Sequence, residues 1–436
     1  MDQLIYKNYV NILRNELVPA LGCTEPIAIA YATAKAVSIL GYRPEHIIMY
    51  CSGNIVKNVQ GVTVPNSGGL KGIEAAAILG AIGGDANKEL QVLEGISEEA
   101  IEETTKLLGT GYCQNFLKEG VANLYIQAIV SAGGHSAEVV IENTHTGIVC
   151  IKKDGKELFA NFIKEKNNTT DRNKMFLNVS DIIEFANTVR LEDICDVISK
   201  QIKMNSSISE EGLKGNYGAC VGKTLLDVYG DDIKVRAKAR AAAGSDARMS
   251  GCSLPVVINS GSGNQGMTAS LPVIEYAKEI GASEELLYRA LVVSNLIALH
   301  QKKYIGNLSA YCGAVSAACG SGAAITYLYG GTYEEISRTI INTIANVGGI
   351  ICDGAKPSCA AKIASAVDAA IVGHYMSING HVFGNGEGIV QENVEHTIKN
   401  IGYVGRVGMK STDIEILNIM LHENLVNEKS DENAKS

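Results

Sequence analysis

Apolar side chains recur at helical spacing over the first 18 residues of the chain, and turn residues then interrupt them. The apolar stripe comprises Ile5, Tyr9, Ile12, Leu13 and Leu17. This spacing predicts an amphipathic helix that breaks at Pro19 and Gly22. The segment "PIAIAYATAKAVSIL" (26–40) predicts a second helix. We assign residues 1–42 to N-terminal helices that pack on a larger domain.

The next part of the chain alternates between apolar and polar positions with a period of two, as half-buried strands do. The segments with strand character are "RPEHIIMYCSG" (43–53), "QGVTVP" (60–65), "LYIQAIVSA" (124–132), "AEVVIEN" (137–143) and "GIVCIKK" (147–153). Two apolar helical segments, 72–84 and 97–109, lie between them. The pattern predicts a smaller α+β domain with an antiparallel sheet over residues 43–190.

Helical patterns dominate from there to the end, and residues 236–372 are dense in Ala, Gly and Ser. Small residues allow helices to approach closely enough to bury a site. We predict an α+β fold: a mostly helical catalytic domain, rich in Ala and Gly, over residues 191–436, beside the smaller α+β domain. The polar segment "KEKNNTTDRNK" (164–174) is interpreted as an exposed loop, and the polar tail "NEKSDENAKS" (427–436) as frayed.

Composition narrows the function classes. The chain has 436 residues, 19% of them charged, with a net charge of −9 and no block of Lys or Arg. This balance argues against a nucleic-acid partner or an anionic membrane partner. The sequence lacks a signal-peptide pattern and an apolar run of about 18 residues, so we expect a cytoplasmic protein. Eleven cysteines, an odd number, argue against a disulfide framework in such a compartment.

A glycine-rich segment, "NSGSGNQG" (259–266), follows a strand-like run and contains the spacing G-x-G-x-x-G. A dinucleotide site would need a second strand and an acidic residue about 20 positions later, whereas this sequence stays helical. The segment is either an ordinary turn or a loop that offers backbone N–H groups to a substrate carboxylate. The candidate binding residues are Ser260, Gly261, Ser262, Gly263, Asn264 and Gln265, together with Arg248 as a carboxylate clamp.

Four cysteines, Cys312, Cys319, Cys352 and Cys359, fall within 48 residues and lack the paired short spacing that is typical of zinc sites. Their spacing leaves three alternatives open: a zinc site, buried core thiols, or an iron–sulfur cluster. The segment "CDGAKPSC" carries a glycine and a proline between two of the thiols. A backbone broken in this way can wrap a cluster and turn its amides toward the sulfurs.

A fifth cysteine, Cys23, precedes a helix whose first residues are Thr24, Glu25 and Pro26, with Thr24 as the expected N-cap. A thiol at a helix N-terminus has a lowered pKa, and after Gly22 we expect this one to be exposed and reactive. The alternative is a small buried residue in a turn. Among the histidines, His135 in a strand-to-strand loop is the candidate for a place near the substrate, and His145, His300 and His374 are expected to be structural.

The segment 51–65 is expected to form a loop that faces the active site. It would bring Asn54, Lys57 and Asn58 toward the active site, where Lys57 could pair with a carboxylate, although a solvated lysine is the expected case.

Three motifs in order, "LGCTEP" (21–26), "GSDARMSG" with "NSGSGNQG" (244–266) and "ICDGAKPSC" (351–359), resemble the L-cysteine desulfidase family. That family is related to the iron–sulfur L-serine dehydratases. The resemblance extends over nearly the whole chain. It implies a [4Fe-4S] cluster bound by Cys312, Cys352 and Cys359, with Cys319 outside the ligand set and Cys23 as the proton acceptor.

The resemblance further implies a lyase that needs no pyridoxal phosphate and eliminates the β-substituent of a small amino acid. L-cysteine would give pyruvate, ammonia and sulfide. Dehydration of L-serine is the alternative reaction. A non-catalytic iron–sulfur sensor is the alternative function in which the protein is not an enzyme. We expect a homodimer with contacts through the α+β domain.

Overall fold

The structure is a computed structural model that describes residues 1–161, 173–306 and 308–421. Most of the polar segment 164–174 and all of the tail 427–436 lie outside these ranges.

The chain begins with the two helices that the sequence predicts. The first is α1 (Gln3–Glu16), in which Asp2 accepts hydrogen bonds from the first-turn N–H groups. A short strand, β1 (Pro19–Leu21), replaces the predicted break. The second helix, α2 (Thr24–Leu40), starts two residues earlier than predicted and ends at Gly41, which has a φ of 89°.

A six-stranded sheet follows. Its strands are β2 (His46–Cys51), β3 (Cys113–Leu117), β4 (Tyr125–Ala132), β5 (His135–Glu142), β6 (Ile148–Lys153) and β7 (Lys156–Ala160), in the order β3-β2-β4-β5-β6-β7. The prediction of a purely antiparallel sheet was wrong, because β2 and β3 pair in parallel. The intervening helices form the crossover that parallel neighbours require.

Three helices connect β2 to β3: α3 (Gly53–Gln60), α4 (Gly72–Gly83) and α5 (Glu98–Leu107). The predicted strand over 60–65 and the predicted loop over 51–59 were both wrong. Residues 53–60 are helical, and Thr63 makes only an isolated bridge to Lys71. Val56 and Val59 bury their side chains on one face of α3, so tertiary packing overrides their strand propensity.

The remaining helices are α6 (Val179–Thr188), α7 (Cys195–Lys214), α8 (Val221–Tyr229), α9 (Ile233–Met249), α10 (Gly263–Glu279), α11 (Glu284–Ile305), α12 (Gly313–Leu328), α13 (Tyr333–Val347), α14 (Cys359–Ile378), α15 (Val394–Tyr403) and α16 (Lys410–Met420). Helix α12 is buried along nearly its whole length. A Cβ atom on its Gly320 would lie 2.3 Å from the backbone oxygen of Ser294 in α11, so the two helices touch backbone to backbone. The predicted α+β class is confirmed.

One further strand, β8 (Pro255–Val257), pairs with β1 in antiparallel register. This two-stranded ladder joins the N-terminal segment to the helical region and positions the candidate site. Among the helices of the described residues, none combines the length and hydropathy needed to cross a bilayer. The division of the chain into domains at residues 42 and 190 stays a prediction.

Candidate active site

A single partly open cavity collects most of the residues that the sequence motifs single out. Its empty space is about 770 Å³, including the opening to solvent. The polar and thiol side chains that line it are Cys23, Glu25, Asn58, His145, Arg248, Ser260, Ser262, Asn264, Gln265, Lys302, Ser309, Tyr311, Cys312, Cys352 and Cys359. Six separated parts of the chain therefore converge on one pocket: 23–25, 58, 145, 248–265, 302–314 and 352–363.

Backbone pairing brings two of the thiols together. Tyr311 and Ile351 form an antiparallel bridge. The N–H of Cys312 donates to Ile350 O at 3.0 Å, and the N–H of Cys352 donates to Ala310 O at 2.6 Å. Cys312 caps the N-terminus of α12. The two cysteines are thus held near each other, Cys312 at the start of α12 and Cys352 within the non-helical segment between α13 and α14.

The third thiol, Cys359, is the first residue of α14 and is partly exposed, as are Cys312 and Cys352. Burial of the Cys312 thiol raises its pKa to about 12, and the nearby Cys352 and Cys359 thiols add to the increase. Electrostatic effects of this kind indicate that the Cys312 thiol lies near the other two.

Cys319 stands apart from these three. It lies two turns further along α12, is fully buried, and does not line the cavity. Gln301 and Thr343 are its hydrogen-bonding neighbours, and burial raises its pKa to about 12. The sequence spacing could not separate Cys312 from Cys319, whereas the structure gives them different surroundings.

The "CDGAKPSC" segment is stiffened by lysines. Lys356 donates to the backbone oxygens of Asp353 and Gly354 at 2.8 and 3.2 Å, and Lys362 donates to Ile351 O at 2.9 Å. Both ammonium groups also pair with the Asp353 carboxylate. Although burial opposes it, these two cations lower the pKa of Asp353.

The donor set suits an iron–sulfur cluster. Three partly exposed thiols face one cavity, and thiolates are the ligands that hold such clusters. Lys302 also lines the cavity; burial lowers its pKa to about 8, while the neighbouring Cys352 and Cys312 oppose that decrease. Lys302 and Lys362 provide positive charge beside the thiols. In the part of the chain that the structure describes, no three His, Cys, Asp or Glu side chains are arranged around a single metal ion.

The predicted surroundings of Cys23 were wrong in three respects. Cys23 itself, rather than Thr24, occupies the N-cap of α2, and it is only 1% exposed. Burial, and then the charge of Glu25, raise the pKa of this thiol well above its ordinary value, while Arg248 opposes the increase. The dipole of α2 is outweighed because the thiol is desolvated beside a carboxylate.

Glu25 is the most highly connected group at this end of the cavity. Its Oε2 accepts a hydrogen bond from Cys23 Sγ at 3.1 Å, and its Oε1 accepts one from Asn58 Nδ2 at 3.1 Å. His145 Nε2 lies 3.8 Å from Oε1. Burial raises the pKa of Glu25, but His145, Cys23 and Arg248 outweigh burial and hold it at about 2. Glu25 is therefore an ionised carboxylate at neutral pH.

The β1–β8 ladder joins this end to the glycine-rich segment. Thr24 Oγ1 donates to Gly261 O at 2.8 Å, and Arg248 Nε donates to Gly22 O at 2.8 Å. The bond from Arg248 Nε to Gly22 O fixes the plane of the guanidinium, and Arg248 is 2% exposed. A Cβ atom on Gly263 would lie 2.4 Å from Arg248 Nε, so only glycine leaves room for the arginine.

Residues 259–262 form a tight turn between β8 and α10. The N–H groups of Asn259 and Ser262 donate to each other's carbonyl oxygens at 3.1 and 3.0 Å, and Ser260 has a φ of 50°. Of the six predicted loop residues, five line the cavity; Gly263 instead makes space for Arg248. The strand β8 pairs only with β1, so the segment is not part of a dinucleotide-binding sheet.

The prediction that His135 lies near the substrate was wrong. His135 is exposed at the start of β5, where its Nδ1 lies 3.0 Å from Asp154 Oδ2, and it does not line the cavity. His145 lines the cavity instead, with its ring against Gly261. His145 lies in the turn between β5 and β6, and its approach to Glu25 depends on tertiary packing that no local pattern shows.

Two lysines also differ from expectation. Lys57 is 1% exposed rather than solvated, and Lys302 lines the cavity although it was not singled out. For Lys302, the available signal in the sequence was the pair Lys302–Lys303 near the C-terminal end of α11. Asn58 lines the cavity as expected, whereas Asn54 does not.

Comparisons with known proteins agree with this geometry. The family profile "Serine dehydratase alpha chain" matches residues 87–418, and the chain belongs to that family. Members of the family are lyases of the serine dehydratase type and are associated with iron–sulfur chemistry.

Relatives named UPF0597 protein match over nearly the full length. The protein from Lachnoclostridium phytofermentans is 55% identical over 96% of this chain and 100% of its own length. The one from Desulfitobacterium hafniense is 53% identical over 96% of this chain and 97% of its own, and the one from Treponema denticola is 47% identical over 97% and 100%. Their names specify no substrate.

Proposed function

We propose that this protein is a [4Fe-4S]-dependent lyase that converts L-cysteine to pyruvate, ammonia and sulfide. The observation that carries the proposal is that Cys312, Cys352 and Cys359 open on the same cavity as the Cys23–Glu25 pair and Arg248. Cys312, Cys352 and Cys359 would hold the cluster. When bound by three thiolates, such a cluster supplies an iron with an open coordination position, a Lewis acid for the β-substituent.

The residues around the glycine-rich turn would bind the amino acid. The Arg248 guanidinium, fixed through Nε, faces the cavity beside the backbone N–H groups of the turn 259–262. An arginine and a set of backbone amides together match a carboxylate. Ser260, Asn264 and Gln265 line the same wall and would orient the substrate.

Cys23 and Glu25 would handle the proton. Cys23 would act as a thiolate, its proton passing to solvent through the open cavity, and Glu25 Oε2, which accepts the Sγ–H hydrogen bond, would orient the sulfur. The Sγ atom then removes the substrate's Cα proton, the electron pair forms the Cα–Cβ double bond, and the Cβ–S bond breaks to release hydrosulfide. The remaining 2-aminoacrylate tautomerises and takes up water to give pyruvate and ammonia. No pyridoxal phosphate is required.

A second candidate activity is L-serine dehydration, favoured by the description of the family that matches residues 87–418. L-serine differs from L-cysteine only in the leaving atom, and the same residues would bind both. Iron is soft enough for a thiolate leaving group, which favours L-cysteine. The net charge of −9 argues against the third reading, a cluster-binding sensor without turnover, because such a protein usually carries a basic surface for nucleic acid.

The test begins with anaerobically purified wild type, Cys352→Ser and Cys319→Ser. About four iron and four sulfide per chain are expected in wild type and in Cys319→Ser, with loss in Cys352→Ser. Cys319→Ser is the matched control because that thiol lies in the same region and outside the cavity. Pyruvate and sulfide from L-cysteine are then measured against pyruvate from L-serine. Absence of iron from wild type, or equal loss in both variants, contradicts the proposal.

The proposal includes a cytoplasmic homodimer whose contacts lie on the α+β region. Light scattering on the purified chain tests the dimer: a molar mass of one chain contradicts it.

A further inference from the structure

A buried ammonium group lies beneath the cysteine segment, outside the binding and proton-transfer residues described above. Lys57, on α3, is 1% exposed. Burying an ammonium group is costly unless charged or polar partners compensate for the loss of water. The partners of Lys57 therefore indicate what its charge stabilises.

Lys57 has two partners from distant parts of the chain. Its Nζ forms an ion pair with Asp413 Oδ1, on α16, and donates to the backbone oxygen of Cys352 at 3.3 Å. One ammonium thus bridges the C-terminal helix and the central cysteine of the three. The contact to Cys352 is to its main chain, which leaves the thiol free to face the cavity.

The backbone of α3 also supports the cysteine segment. Gly354 has a φ of 93°, and a Cβ atom there would lie 2.4 Å from Lys57 O. A Cβ atom on Gly61, just after α3, would lie 3.3 Å from Ala355 O. The turn 352–355 therefore rests directly on the last turn of α3.

Helix α16 is held on the same short helix. A Cβ atom on Gly53, the first residue of α3, would lie 2.4 Å from Leu417 Cδ2. Leu417 is one helical turn after Asp413, so the packing of α16 on α3 carries the carboxylate to Lys57. The Asp413 side chain is 16% exposed and Lys57 is nearly fully buried.

We propose that Lys57 and Asp413 form a clamp that positions Cys352 for cluster binding, so that the C-terminal helix controls how firmly the cluster is held. This rests on the proposed function in one respect, the assignment of Cys352 as a ligand. Both are positioning residues: they act on the main chain of Cys352 and do not face the cavity.

Four variants test the clamp: Lys57→Met, Asp413→Asn, the double variant, and Glu415→Gln. The last removes an equal charge from an exposed position on the same helix and is the matched control. Lys57→Met deletes the donor to Cys352 O. The double variant also removes the charge that Lys57→Met leaves on Asp413, so it separates loss of charge balance from loss of the contact to Cys352.

The first readout uses the full-length chain after anaerobic removal of iron. Iodoacetamide labelling of Cys352 is followed by peptide mass spectrometry, with Cys312 as the internal reference. Loss of a charge-assisted hydrogen bond predicts labelling of Cys352 that is about tenfold faster in Lys57→Met and in the double variant. Cys312 is expected to change little, and Glu415→Gln to match wild type. Equal acceleration at both thiols, or wild-type labelling in the double variant, overturns the clamp.

The second readout is the half-life of iron in the reconstituted protein under air, expected to shorten about tenfold in the same variants. Unchanged retention despite faster Cys352 labelling overturns the link to the cluster. A wild type that binds no iron, yet shows the selective labelling change, removes the proposed function and the ligand role of Cys352 while leaving the positioning of the turn intact.

Discussion

Cys23 Sγ donates a hydrogen bond to Glu25 Oε2 at 3.1 Å, two residues further along the first turn of α2. The acceptor is ionised and the donor keeps its proton, because the pKa of Glu25 lies at about 2 and that of Cys23 is raised well above its ordinary value. The pair therefore rests with its proton on sulfur, and Glu25 holds the Sγ–H group as a hydrogen-bond acceptor.

Replacing this acceptor tests its role. Glu25→Gln is expected to reduce turnover about 100-fold or more, the range for loss of acid–base assistance, while iron content stays at the wild-type value. The substitution also removes a negative charge that raises the thiol pKa, so Cys23 should react with iodoacetamide at a lower pH than in wild type. Wild-type turnover in Glu25→Gln contradicts the assignment.

His135, at the start of β5, and His145, in the turn after β5, provide a matched pair. His145 lies 3.8 Å from the Glu25 carboxylate, whereas His135 pairs with Asp154 on the surface. His145→Gln should lower kcat/KM by about tenfold, equivalent to about 1.4 kcal/mol, and His135→Gln should leave it unchanged. Steady-state kinetics on both variants decide the matter, and equal effects would count against a role for His145.

Arg248 offers a test of carboxylate binding. Lysine keeps the positive charge but loses the planar fork that binds a carboxylate through two hydrogen bonds. Arg248→Lys should raise KM about tenfold, with a smaller change in kcat if the contact is equally strong in ground and transition states. An unchanged KM would place the substrate carboxylate elsewhere.

Glycine at position 354 is needed for two separate reasons, its positive φ and the nearby Lys57 O. Gly354→Ala should lower the free energy of unfolding by about 1–3 kcal/mol. Gly349→Ala is the control, since a Cβ atom there meets nothing within 4 Å. Chemical denaturation of the iron-free proteins measures both, and equal effects would contradict the argument.

Stability should depend on His374 below neutral pH. This side chain is fully buried, and its Nδ1 lies 2.9 Å from Thr326 Oγ1. Burial lowers its pKa to about 4, with Glu335 opposing the decrease. The folded state then binds fewer protons than the unfolded state between the ordinary pKa of about 6.5 and 4, so the stabilisation is complete above about 6.5 and is lost as pH falls towards 4.

His374→Gln should flatten that part of the curve of unfolding free energy against pH. Each unit of pKa difference corresponds to about 1.4 kcal/mol. Denaturation at several pH values between 4 and 7 provides the measurement, and parallel curves for wild type and variant would rule out His374 as the source.

The sequence predicted those features that depend on local pattern. Helices α1 and α2 and strands β4 to β6 followed from apolar periodicity. Strand β3 was missed because Gln114 and Asn115 interrupt its apolar pattern and it is exposed along the edge of the sheet. Helix α3 was missed because its β-branched residues favour strands locally, and only packing shows that they lie on one helical face.

The residues of the candidate site show the same contrast between features of local pattern and features of tertiary packing. Motifs led to the cysteines and the glycine-rich turn, because each of these features is contained in a short run of neighbouring residues. The burial of Lys57, the approach of His145 to Glu25 and the high pKa of Cys23 arise from contacts between segments far apart in sequence. No window of the sequence contains them.

The pairing of β1 with β8 has a consequence for biosynthesis. This ladder brings Cys23 to the turn at 259–262, and the last of the four cavity thiols along the chain is Cys359. At about 5–20 residues per second, the ribosome completes Cys359 roughly half a minute after Cys23. During that interval the nascent chain carries Cys23 without the pocket that buries it. Assembly of the proposed cluster would therefore have to wait until most of the polypeptide has emerged.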